Sequence, residues 1–161
     1  MKEQLIQLKE DVAAAWQRRQ QRIIRDKMFK KAEDLIQDFG VFKRLALGDL
    51  EEQALFKIHL AKCLLVKQNQ LNPPESDSAH HLQIAVIESL GCEAQEKVEN
   101  LRAARGPSSL AESPYRIELL AGLLSGVYYR NTTSSYTDFP ALSEGIDIIA
   151  RQHVFRAAPA E

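Results

Sequence analysis

Cysteine is scarce in this sequence. There are two in 161 residues, Cys63 and Cys92, too few for a disulfide framework and without C-x-x-C spacing. Both fall in apolar helical patterns, which makes them buried free thiols of a reducing compartment. No apolar run approaches the roughly 20 residues of a membrane-spanning helix; the most apolar segment, Ile117 to Tyr129, is shorter and contains Glu118. The start, Met1-Lys2-Glu3-Gln4, opens a charged amphipathic pattern rather than a signal-peptide core. The chain is therefore expected in the cytoplasm with no membrane partner, where the sequon Asn131-Thr132-Thr133 would be idle.

Catalytic signatures are missing as well. The sequence has no G-x-S-x-G elbow, no Gly-rich phosphate loop, no H-E-x-x-H and no Glu-x-x-His of a di-iron bundle. His59 and Cys63 are spaced i,i+4, and His80, His81 and Cys92 could in principle complete a zinc site with them. Nothing in the spacing requires those residues to meet, and His80-His81 reads better as an exposed first helical turn. Glu144 and Asp147 stand one turn apart, but Arg151 accounts for Asp147 as a surface pair. The expectation is a non-enzyme, with no catalytic residue, metal or cofactor.

Strand alternation and internal repeats are also lacking, and what remains is helical periodicity. Leu5, Leu8, Val12 and Trp16 follow three- and four-residue spacing, as do Met28, Ala32, Leu35 and Phe39. The two stripes are not collinear, and no Gly or Pro interrupts residues 2–39, with Gly40 as a stop. One long helix that changes packing partner midway follows, its first half free to pack on another subunit because Trp16 needs burial. After a short apolar piece, Val41 to Leu47, Asp49 and Glu52 fit a capping box. The helix from Leu50 to about Gln70 is apolar over most of its circumference, as a central helix is. Asn72-Pro73-Pro74 opens a loop, with Asp77 or Ser78 capping the next helix. Gly91 is expected to interrupt or bend that helix; beyond it, Glu93 and Lys97 form an i,i+4 pair and Gly106-Pro107 ends it. Ser113-Pro114 starts a helix to about Arg130, and a final helix of about 14 residues carries Leu142, Ile146 and Ile149. The fold expected is all-α: one compact bundle of five to six helices in a single domain, 1–161. Residues 2–39 form the long helix, 49–156 the helical core and 157–161 a frayed tail.

Charge is spread unevenly over this frame. From Arg18 to Lys31 the chain carries seven basic residues and one acidic one. The segment is +6 inside a chain of net charge −1, leaving the other residues near −7. On a helix, Arg18, Arg22 and Arg25 fall within about 60° of one another and Phe29 joins them. Guanidinium groups in a row suit phosphate oxygens, and an aromatic ring can stack on a base. Arg19, Lys27, Lys30 and Lys31 add charge on other sides. A protein partner, intramolecular pairing with the acidic remainder, or a solvated face accounts for the same residues, and no helix-turn-helix or zinc-finger spacing selects DNA or RNA.

Gly122, Ser125 and Gly126 form a small-residue groove on a helix whose other face is apolar. Each interior glycine costs about 1 kcal/mol relative to alanine, so close packing is expected there, first by another helix of the chain and next by a second subunit. The reading that follows is a small cytoplasmic interaction protein of adaptor, chaperone, immunity or assembly type. It binds a protein partner and self-associates, as a dimer, through Leu5, Leu8, Val12 and Trp16. The alternative is a nucleic-acid-associated protein that grips phosphates with the basic stretch, and an enzyme of unknown class comes third.

Overall fold

The computed structural model describes residues 1–105 and 113–154. These form six α-helices: α1 (Lys2–Phe39), α2 (Val41–Arg44), α3 (Leu50–Leu71), α4 (Asp77–Arg105), α5 (Ser113–Arg130) and α6 (Phe139–Ile149). A π-helical turn, Ala150–Val154, continues α6. No strand occurs among the described residues, only an isolated bridge between Thr132 and Thr137. The fold is an all-α bundle with a long N-terminal helix. The tail 157–161 lies outside the described residues.

Local chemistry sets the helix ends. At Gly40, φ is +57°, a left-handed conformation in which its N–H donates to the carbonyls of Gln37 and Ile36 and closes α1. The Asp49 carboxylate accepts from the Glu51 N–H at 2.9 Å and starts α3. The next cap is Ser76 rather than Asp77 or Ser78: its Oγ accepts from the Ala79 N–H at 3.1 Å. Gly91 neither breaks nor ends α4, which runs unbroken for 29 residues. One glycine's propensity deficit is small beside the packing of Val86, Leu90 and Ala94, all buried on the same helix. Asp138 caps α6 by accepting from the Ala141 N–H at 3.1 Å, with Pro140 in the first turn.

The core is organised around α3. Leu55, Phe56, Leu60, Ala61, Leu64 and Leu65 are all wholly buried, and α3 packs on α1, α4 and α5. Helix α1 reaches this core at Ile24, which packs against it partly buried, and its fully buried residues are Met28, Ala32, Leu35 and Ile36. Helix α6 crosses α5 so closely that a Cβ on Gly145 would run into the Val127 side chain.

Two ion pairs differ from the local ones expected. Glu93 does not pair with Lys97; Arg25 of α1 reaches both its carboxylate oxygens, at 2.6 and 2.7 Å. Asp147 does not pair with Arg151 but with Arg44, at 2.5 Å, whose guanidinium also donates to the Ser143 carbonyl at 2.7 Å. At Glu93 an arginine from another helix offers more donors than Lys97 does, and at Asp147 the Arg44 guanidinium joins the carboxylate and the Ser143 carbonyl at once. Cys92 is another departure. It is exposed, and Cys63 is only partly buried, because the apolar stripe of α4 turns past Cys92 toward Ala94.

Candidate interaction surfaces

Helix α1 is an arm for much of its length. Among residues 1–19, only Ala14 is even partly shielded, so at 1.5 Å per residue about 28 Å of helix stands clear of the bundle. Its composition suits that position: alanine, leucine, glutamine, glutamate, lysine and arginine dominate, all strong helix formers. Gln7 donates to Asp11 at 3.0 Å along the surface. On this arm Leu5 is 59% exposed, Leu8 59%, Val12 61% and Trp16 52%. Ile23, not singled out from the sequence, is 51% exposed and lies seven residues beyond Trp16, on the same face. It could have been found by extending the same spacing through the basic run. Together these side chains make a continuous apolar stripe that no described part of the chain covers.

The basic stretch does not behave as one surface. Arg25 is taken up by Glu93 and stacks on Phe29, with its guanidinium carbon 4.5 Å from the ring centroid. Lys30 pairs with Asp34 at 2.9 Å, which raises its pKa. Lys31 is half-buried against Tyr128 and Tyr129, its Nζ 5.8 Å from each ring; burial, and then Lys27, push its pKa down. Arg18 and Arg22 stay exposed beside a cleft of about 360 Å³ that Gln21, Val86 and Ser89 help to line. Arg19 and Lys27 are exposed on other sides. The expected row of Arg18, Arg22, Arg25 and Phe29 is thus divided, with its last two members committed within the fold.

Gly122, Ser125 and Gly126 border an open groove of about 340 Å³ between α3 and α5. Among the described residues, no helix of this chain fills it: a Cβ on Gly122 or Gly126 would meet nothing within 4 Å. The close approach lies instead at Gly145. Ser125 is buried, and across from it stand His59, Cys63 and Val66, with Lys62, Lys67 and Glu118 also along the groove. Burial and then Lys62 lower the His59 pKa against the opposing pull of Glu118, which favours a neutral imidazole. Burial raises the Cys63 thiol, so thiolate chemistry is disfavoured there. No group of three His, Cys, Asp or Glu side chains able to hold a metal occurs among the described residues. His80 and His81 are exposed with ring centroids 6.2 Å apart. Tyr129 is structural: its hydroxyl donates to the Leu64 carbonyl at 2.9 Å, and burial, then Tyr128, push its pKa up to about 12.

The three glycines predict opposite responses to alanine. Gly122→Ala and Gly126→Ala each raise unfolding free energy by roughly 0.5–1 kcal/mol, because helix propensity improves and nothing is displaced. Gly145→Ala lowers it by about 1–3 kcal/mol, because Val127 must move. Urea denaturation midpoints of the three variants check this, and a destabilised Gly122→Ala would mean that the groove is closed in solution.

No helix among the described residues is long and apolar enough to cross a membrane. Comparison of the chain with protein-family models, with curated proteins and with solved structures gave no match in any of the three.

Proposed function

We propose that this chain is a non-enzymatic cytoplasmic interaction protein, of adaptor, chaperone, immunity or assembly type, which works by binding protein and self-associates through the N-terminal arm of α1. One observation carries the reading. Leu5, Leu8, Val12 and Trp16 are each more than half exposed along one side of a helix that projects from its own bundle. A stripe of that kind is a contact surface without its partner. Light scattering over a dilution series tests it. The native chain should exceed the 18.2 kDa of one copy at high concentration, and Trp16→Ala should dissociate at higher concentration than the native protein. A mass unaffected by Trp16→Ala counts against the arm as the contact.

A second reading, binding of DNA or RNA, draws support from Arg18, Arg19 and Arg22, which are exposed on the arm. If these bind phosphates, log K should fall with log[salt], and the slope should shrink by about one unit for each phosphate contact removed by an arginine-to-alanine change. No binding to labelled single- or double-stranded DNA or RNA at low salt eliminates this reading.

A further inference from the structure

We infer that the groove between α3 and α5 is a binding site for a small organic anion, one with a flat apolar body and a single carboxylate. The site is separate from the arm and goes beyond the self-association proposed above.

The glycines give the shape. Gly122 and Gly126 stand one turn apart inside α5, where each costs about 1 kcal/mol relative to alanine. Nothing in the described chain uses the space they leave, since a Cβ on either would meet no atom within 4 Å. The result is a shelf of bare helix backbone, with Cys63 and Val66 across an opening of about 340 Å³. That volume is at the lower end of the range of small-molecule sites. From His59 to Lys67 the α3 wall is about 12 Å long at 1.5 Å per residue. A flat ring system can lie on such a shelf, where any side chain would lift it off.

The floor of the groove is polar and without partners. His59 of α3 is 7% exposed and Ser125 of α5 is 2% exposed, one from each wall. Neither side chain makes a hydrogen bond to any described residue. The fully enclosed polar side-chain atoms that lack a partner belong to Asn69 and Gln83, so the His59 nitrogens and the Ser125 hydroxyl open onto the groove. Buried groups of this kind cost free energy until something supplies their hydrogen bonds. Water alone would satisfy them but would leave the glycine shelf unexplained. A ligand with an apolar body and polar atoms answers both.

Charge then selects the sign. Lys62 and Lys67 border the groove half-buried, and neither forms an ion pair among the described residues. Burial lowers the His59 pKa and Glu118 opposes it, so the ring is neutral and Glu118 lies near it. A neutral imidazole adds no charge of its own and offers one donor and one acceptor. Glu118 thus marks the His59 end of the groove, while Lys67 stands two turns further along α3. A carboxylate is drawn to the Lys67 end and repelled from the Glu118 end, which orients the ligand along the groove.

Calorimetric titration with naphthoate, whose fused rings and carboxylate match this description, tests the site. The native chain should bind one equivalent per chain with a Kd of about 1 mM or tighter. Naphthamide, the neutral isostere, should bind roughly tenfold more weakly, and Lys67→Gln should remove that preference. Gly126→Leu should abolish binding, because the leucine takes the shelf. Its helix propensity exceeds that of glycine, so its urea midpoint should not fall. At saturation the His59 ring resonances of the native chain should shift in NMR spectra. No saturable binding up to the solubility of naphthoate would overturn the site. Binding that survives Gly126→Leu, or a His59 ring unmoved at saturation, would place the ligand elsewhere. Equal affinity for naphthamide would contradict selection of an anion. None of these variants touches the arm, so their failure leaves the self-association standing.

Discussion

Replacing Leu5, Leu8, Val12 and Trp16 together by serine should leave a protein of single-chain mass at every concentration, with the unfolding of the bundle unchanged. The magnitudes support so large an effect. Full burial of a leucine, valine or comparable side chain is worth about 1.5–3 kcal/mol, and these four each retain 52–61% of their surface. Eight such side chains across a dimer would contribute roughly 6–12 kcal/mol, on the scale of the ~8 kcal/mol that separates a micromolar complex from its parts. The core, by contrast, loses nothing, because α1 joins it only from Ile24, beyond all four of these positions. Sedimentation velocity for mass and urea denaturation at low concentration check the two halves. A variant that unfolds more readily as a monomer would show that the arm folds back on its own bundle.

Phe56→Ala should do the reverse, costing about 3–5 kcal/mol of unfolding free energy while leaving the association surface in place. Phe56 has no exposed surface and meets Phe42 edge-on, with ring centroids 5.9 Å apart and planes at 75°. Removing the ring empties a site held by two helices, α2 and α3, and takes away the aromatic contact as well. Against a typical total of 5–15 kcal/mol, that is a large fraction, so the denaturation midpoint should fall steeply. Where the variant remains folded, its mass should still rise with concentration. A loss below 1 kcal/mol would mean that α2 is not seated on α3 as described.

Much of this architecture is legible in the chain, because helix ends are written locally. Gly40, Asp49, Pro73-Pro74 and Ser113-Pro114 mark boundaries within a residue or two, and the near-continuous apolar circumference of α3 marks it as central. The exposed half of α1 was readable too, since a stripe that changes direction within an unbroken helix cannot face one core throughout. Long-range partners were not. Arg25 and Glu93 are 68 residues apart, and Arg44 and Asp147 are 103 apart; a sequence offers only Lys97 and Arg151 as neighbours. The glycines mislead for a related reason. Gly122 and Gly126 are conspicuous by their spacing, yet the close crossing uses Gly145, and spacing does not reveal which face of a helix another will cover. Phe29 joins Arg18, Arg22 and Arg25 on one side of α1 by period alone, but what Arg25 does is decided by the carboxylate that α4 brings to it.

Trp16 is the only tryptophan in the chain, and it stands on the arm, so its fluorescence reports on that face and on no part of the core. The most direct test is therefore its emission spectrum over a dilution series, with mass measured on the same samples. Burial in a second copy's arm predicts a blue-shifted emission at high concentration. On dilution the emission should move to that of a water-exposed indole, in step with the fall to the 18.2 kDa of one chain. A red, concentration-independent emission from a protein that nonetheless self-associates would place the contact elsewhere and contradict the account.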